Sequence, residues 1–322
     1  MDPDLFIIGL DIGGTKIAVV LGDCSGQIYD RSQFLTRSER GFQAVFAELC
    51  QHIDEMRQRA SEQGRSPSLL SVAIGGPLDI AQGIIYSPPN LPGWEAVPLK
   101  QLLQERFGLP TYVEHDGNAG ALAEWYFGAA HGARNVVFLT MGTGLGGGLI
   151  LNGQLYRGSS DLAGEVGHMR VAEAGPVAYG KAGSWESFCS GTGIMRLAAY
   201  CFPFRWSEGQ VTVRDLAELA AAGDADALAV LAEAGRYLGR GLAILLDILN
   251  PDVIVIGSLA VRLGDLVLGP ARVEMRREAL PGSVSACRVA PAELGERIGD
   301  IAALCAAIAA MGGPSTLQAS NA

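Results

Sequence analysis

Two stretches of this chain, LFIIGLDIGGTKIAVVLGD (5–23) and NVVFLTMGTGLGGGLILNGQLY (135–156), repeat one layout about half a chain apart. Each runs apolar and β-rich into an Asp or Thr, turns through glycines, and sets off on a second apolar strand. A layout used twice constrains the fold more than any single motif does. It predicts two related α/β lobes facing one cleft. The second stretch also contains the dinucleotide-type glycine spacing at Gly142, Gly144 and Gly147. In a dinucleotide-binding unit that turn must open a helix. Here LILNGQLY follows, and Asn152-Gly153 is a strong hairpin signal. A second strand is therefore expected, and nicotinamide chemistry is set aside.

Composition narrows the classes further. At 322 residues and 49% hydrophobic, the chain can bury a large core, as one large domain or two packed lobes. A net charge of −10 argues against a partner with a phosphate backbone, so no nucleic acid is expected. The six cysteines are scattered, without a Cys-x-x-Cys pair, which suits reduced thiols in the cytoplasm. The N-terminus lacks the basic start of a signal peptide. The most apolar later stretch, LAILLDILNPDVIVIG, is broken by Asp247, Pro251 and Asp252. It reads as a helix end and a strand, so no membrane association is expected. The Ala- and Leu-rich segment from Val213 to Leu249 reads as helical, and ELGERIGDIAALCAAIAAM as a loop and a final helix. The polar tail at 313–322 is expected to fray.

The glycine turns carry the first chemistry. In the second turn, bare backbone amides and the hydroxyls of Thr140 and Thr143 can approach phosphate oxygens, and DIGGTK offers the same. DIGGTK adds Asp11 for the water shell of a magnesium ion and Lys16 as a countercharge, around Gly13, Gly14 and Thr15. Either turn alone could be no more than a tight hairpin. Asp116, in EHDGNAGALAE, follows a predicted strand and precedes an Ala-rich helix. It suits a general base at a strand end, and equally an N-cap for that helix.

Taken together and in order, these motifs resemble the ROK family of kinases and repressors, the sugar-kinase branch of the actin-like ATPases. DIGGTKIA resembles its first phosphate motif, GGPLD its sugar-side Gly-Pro turn, and NLPGW its substrate loop. EHDGNAGALAE resembles the catalytic motif, MGTGLGGG the second phosphate motif, and GEVGHM the sugar-binding motif. VIVIGSLA resembles the strand and turn beneath the adenosine, with Ser258 where a second glycine is usual. The likeness spans nearly the whole chain. It implies two actin-like (ribonuclease H-like) lobes around a central nucleotide and sugar cleft: a small lobe at 1–117, a large lobe at 118–300, and a helix at about 301–312 returning to the small lobe.

The resemblance also implies roles. Asp116 would be the catalytic base. Gly76, Asn90, His115, Asp116, Glu165, His168 and Glu186 would meet the sugar. Asp11, Gly13, Gly14, Thr15, Lys16, Thr143, Gly144, Gly257 and Ser258 would meet ATP and its Mg2+. His115 stands where the family usually has Asn, which changes the hydroxyl pattern it can recognise. The implied activity is ATP-dependent phosphorylation of a hexose, glucose first, at its 6-hydroxyl. Kinases for N-acetylmannosamine, N-acetylglucosamine, fructose or allose, and a sugar sensor without turnover, are the alternatives. Repressors of the family carry a helix-turn-helix before the first strand; here about four residues precede it, so an enzyme is expected. A homodimer is implied by resemblance alone.

Many family members follow the motif histidine with cysteines that, together with it, hold a structural zinc. In AYGKAGSWE (178–186) those cysteine positions fall at or around Ala178, Tyr179 and Ser184. Three thiolates are gone, so zinc is not expected. Tyr179, Trp185 and Phe188 supply aromatic surface to hold the loop instead.

Overall fold

The computed structural model describes residues 5–207 and 209–314, so most of the tail expected to fray lies outside the described residues. The chain divides into two compact units. Unit 1 comprises Met1–His131, Gly158–Asp161 and Glu296–Ala322, and unit 2 comprises Gly132–Arg157 and Leu162–Gly295.

In unit 1 the strands are β1 (Phe6–Ile12), β2 (Lys16–Asp23), β3 (Ile28–Leu35), β4 (Pro67–Ile74), the small hairpin β5 (Leu78–Asp79) and β6 (Ile84–Ile85), and β7 (Thr111–His115). The main sheet runs β3-β2-β1-β4-β7. β1, β2 and β3 form an antiparallel meander, while β4 and β7 join parallel. β1 and β2 are buried almost throughout, and β3 alternates half-buried and exposed positions as an edge strand does, with only Phe34 buried. Helix Gly41–Glu62 buries Val45, Leu49, Ile53, Met56 and Ala60, the three-to-four spacing of a core-facing stripe. Helix Ile298–Ala310 buries every residue from Ile301 to Ile308. It comes close enough to β1 that a Cβ on Gly9 would stand 3.0 Å from that of Ala303. Its Ala307 N–H donates to the buried Ser71 hydroxyl at 3.2 Å.

Unit 2 repeats the scheme. Its strands are β8 (Val136–Met141), β9 (Leu145–Leu151), β10 (Gln154–Tyr156), the short hairpin β11 (Val177–Ala178) and β12 (Lys181–Ala182), β13 (Val253–Ile256) and β14 (Arg288–Pro291). The sheet order is β10-β9-β8-β13-β14, with an antiparallel meander and then two parallel strands. Order and sense match unit 1 strand for strand. The sequence echo is thus a repeated sheet, and the α/β expectation with two related lobes holds. As expected, MGTGLGGG joins two strands, and Asn152 (φ 55°) and Gly153 (φ 75°) form the tight turn after them.

The segment 213–249 is helical but divided. Helices Val213–Ala221 and Ala225–Leu249 are separated at Gly223 (φ 86°) and Asp224. The Asp224 carboxylate accepts the Ala227 N–H at 3.0 Å, capping the second helix. All six cysteines are unpaired; Cys201 is exposed and Cys287 half-buried, the other four buried. Among the described residues no helix is long and apolar enough to cross a membrane.

Candidate functional site

In unit 1 the strand β7 delivers two adjacent side chains to the start of helix Asp116–Phe127. His115 is the N-cap; its Nδ1 accepts the Gly117 N–H at 3.3 Å. Asp116 is therefore the first helical residue rather than the cap. Its Oδ1 accepts the same N–H at 2.7 Å and lies 3.4 Å from His115 Nδ1. The Asp116 side chain remains 55% exposed. Beneath them the buried Glu114 carboxylate accepts the His115 N–H at 3.0 Å and the Asn118 amide at 2.9 Å. Those two bonds fix the turn. The His115 ring packs over Gly76, where a Cβ would stand 3.1 Å from Cδ2.

The β1–β2 turn lies in the same unit. Gly13 N–H donates to Lys16 O at 3.1 Å, and the Thr36 hydroxyl to Gly13 O at 2.6 Å. Thr15 and Lys16 are exposed. Gly14 must be glycine on packing grounds, since a Cβ there would fall 2.4 Å from the Cβ of Asn90. The DIGGTK turn and the NLPGW loop are thereby brought together. Asp11 is half-buried at the end of β1, and its carboxyl is pushed up from 3.8 to about 6. Loss of solvent is the main cause, and the charges of Asp116 and Asp300 add to it against Lys16 and Arg31. Asp300 pairs with Arg31 at 2.8 Å. Neither Asp300 nor Arg31 was singled out from sequence.

In unit 2 Thr143 and Gly144 form the exposed turn between β8 and β9. Gly142 O accepts the Gly191 N–H at 2.7 Å and Thr143 O the Thr192 N–H at 3.2 Å. The turn thus sits on the first residues of helix Gly191–Cys201, which Ser190 caps through Gly193 N–H at 2.9 Å. Gly257 and Ser258 follow β13, and the neighbouring Leu259 reaches Gly191. Ser258 holds φ 57° and ψ −115°, backbone geometry that a glycine adopts freely and a serine does not.

GEVGHM lies flat on β9. A Cβ on Gly164 would stand 2.4 Å from Gly147 O, and one on Gly167 2.3 Å from Leu145 O. Glu165 and His168 are left exposed on either side of buried Val166 and Gly167. Glu186 joins them: its Oε2 accepts the Leu145 N–H at 2.9 Å and the Tyr179 hydroxyl at 2.6 Å. Gly144 adjoins the same oxygen, 2.7 Å from where its Cβ would be. The Tyr179 ring stacks on His168, with centroids 3.6 Å apart. Sequence reasoning treated Tyr179 as packing surface alone, and its two polar neighbours went unseen. Among the described residues there is no group of three or more His, Cys, Asp or Glu placed to hold a metal ion.

Each unit therefore gathers its own share of the predicted residues. Gly76, Asn90, His115 and Asp116 accompany Asp11 to Lys16 in unit 1; Thr143, Gly144, Glu165, His168, Glu186, Gly257 and Ser258 accompany one another in unit 2. Comparison with known proteins adds a second line. A glucokinase of Halalkalibacterium halodurans is 34% identical over 312 residues, covering 92% of this chain and 93% of the relative. A xylose repressor of Bacillus spizizenii is 30% identical over 296 residues, covering 90% of this chain and 74% of the repressor. The crystal structure of a ROK family glucokinase from Streptomyces griseus, in complex with glucose and AMPPNP, superposes with a TM-score of 0.75 at 31% identity. That match covers 92% of this chain and 97% of the other. The ROK family model matches residues 7–309, and the chain belongs to that family.

Proposed function

We propose that the protein is an ATP-dependent hexose kinase that phosphorylates glucose at its 6-hydroxyl. The observation that carries this reading is the carboxylate of Asp116. His115 takes the capping position, so Asp116 stands at a strand end with over half its side chain open. Phosphoryl transfer asks little covalent work of a protein: alignment, charge neutralisation and an acceptor for the hydroxyl proton. Asp116 is the proton acceptor, needed only as the bond to phosphorus forms. Asn90 in unit 1 and Glu165, His168 and Glu186 in unit 2 supply hydrogen bonds to sugar hydroxyls. His115 and Gly76 shape the ground beside Asp116.

The backbone turns at Gly13–Thr15 and Thr143–Gly144 hold phosphate oxygens, with Lys16 as countercharge, and the Gly257–Ser258 turn lies under the adenosine. Asp11 suits the water shell of Mg2+. Its raised carboxyl, crowded by Asp116 and Asp300, is the electrostatic condition that a cation relieves. A hydrated magnesium ion needs one or two carboxylates and substrate phosphates rather than a protein cage. When bound, the ion neutralises charge on the transferring group. The enzyme would work in the cytoplasm, as a homodimer.

A coupled ADP-release assay over glucose, N-acetylmannosamine, N-acetylglucosamine, fructose, allose and xylose tests the proposal. Glucose-dependent ADP release is expected. Asp116→Asn should lower kcat by about a thousandfold while sugar binding by calorimetry persists. The likeness to a xylose repressor supports a second reading, a sugar sensor without turnover. Sugar binding with no ADP release from any hexose would select it.

A further inference from the structure

The hairpin carrying Tyr179 contains a strained residue. Tyr179 and Gly180 form the two-residue turn between β11 and β12, with φ 54° and 69°. Gly180 adopts that geometry at no cost, but a bulky residue there is a genuine outlier costing about 1–2 kcal/mol. Tyr179 is also 47% exposed, so burial does not repay the strain. What it gains is two specific contacts: the stack on His168, 20° from parallel, and the 2.6 Å hydrogen bond into Glu186. Strain kept at an exposed position for such contacts points to function.

Zinc does not fit here. At the three positions that thiolates would take, Ala178 offers no donor. The Ser184 hydroxyl is buried without a hydrogen-bond partner and carries no charge. Burial, and then the bond to Glu186, push the Tyr179 phenol well above its ordinary range. A closed zinc site needs deprotonated ligands that this loop lacks.

We propose that Tyr179 is the positioning residue that sets His168 and Glu186 for the sugar, taking over the ordering that a metal would give this loop. The inference rests on the assignment of those two residues to sugar binding. From one side of the hairpin the Tyr179 ring fixes the plane of the imidazole. From the other, Lys181 Nζ donates to His168 O at 2.6 Å. The two hydrogen bonds to the Glu186 carboxylate both fall on Oε2, leaving Oε1 for a sugar hydroxyl. The platform beneath is closely packed. Trp185 is fully buried against Gly241, where a Cβ would come within 2.0 Å of the indole. Phe188 stacks on Tyr237 at 3.6 Å.

Two variants test this. Tyr179→Phe keeps the ring and loses the hydrogen bond; Tyr179→Ala loses both. The sugar KM should rise about tenfold in the first and about a hundredfold in the second, with the ATP KM within about twofold of wild type. The imidazole proton resonances of His168, shifted upfield by the stacked ring, should stay shifted in Tyr179→Phe and return in Tyr179→Ala. Purified protein should carry no stoichiometric zinc. Wild-type sugar phosphorylation with an unchanged sugar KM in both variants overturns the proposal about Tyr179 and leaves the kinase reading intact. Equal rises in both KM values, an unshifted wild-type histidine, or stoichiometric zinc overturns it as well. If wild type neither binds nor phosphorylates any hexose, the kinase reading fails and takes this proposal with it.

Discussion

Replacing Asp11 by Asn should make the protein more stable and less active, with the gain in stability confined to one pH range. The Asp11 carboxyl is raised from 3.8 to about 6 because burial, Asp116 and Asp300 all disfavour its charge. Two pH units, at about 1.4 kcal/mol each, amount to about 3 kcal/mol at most. The sign is opposite to that of a paired carboxylate. Between 3.8 and about 6 the folded protein holds the proton more tightly than the unfolded chain does. Stability therefore falls as pH rises through that window, and the full penalty stands above it. An amide at position 11 carries no such penalty. Asp11→Asn should thus gain up to about 3 kcal/mol over wild type at about pH 7.5 and nearly nothing at about pH 4. Urea titrations at both pH values, read as midpoints, measure the difference. Saturating magnesium should stabilise wild type more than the variant, and ADP release by the variant should collapse. A gain independent of pH, or none at pH 7.5, would refute the electrostatic account. An unchanged turnover would remove Asp11 from the proposed site.

Three further outcomes follow from particular contacts. His168→Ala should raise the sugar KM at least about tenfold while leaving the ATP KM near wild type, measured by initial rates; unchanged values make this histidine structural only. Ser258→Gly relieves the backbone held at φ 57° and ψ −115°, and should raise the urea midpoint by the equivalent of about 1 kcal/mol. Gly241→Ala would ordinarily strengthen a helix by about 1 kcal/mol. Here its methyl meets the buried Trp185 ring, so a net loss of about 1–3 kcal/mol and a shifted tryptophan emission are expected. A stabilised Gly241→Ala protein would show that the indole has room to move.

The repeated sheet was legible because its hairpins combine apolar strands, glycine turns and, in unit 2, an Asn-Gly dipeptide, all local signals. The division at 222–224 went unread, although Gly223 followed by Asp224 is a stop signal before a cap. Alanine and leucine on both sides masked it, since their helical spacing scarcely changes across the break. The contributions of Tyr179 and Asp300 were not legible. The strands flanking Tyr179 are two residues long, too short to show a period, and an exposed tyrosine gives no sign of backbone strain. Asp300 reaches the neighbourhood of Asp11 only because helix Ile298–Ala310 returns to β1, a contact that spans almost the whole sequence. His115 stood out as a departure at a position that the resemblance assigns to the sugar, yet its capping bond depends on the angle at which β7 enters the helix.

The return of that helix also fixes the order in which the chain can mature on the ribosome. Domains usually fold as they emerge, the N-terminal one first. Unit 1 begins at the N-terminus, but the helix that covers β1 and β4 is made after every strand of unit 2. Unit 2 can complete its core while unit 1 still waits with an apolar sheet face uncovered. The half that is started first is finished last. A chain truncated just before residue 298 would therefore pair a unit 2 with all its elements present and a unit 1 lacking the helix that covers its sheet.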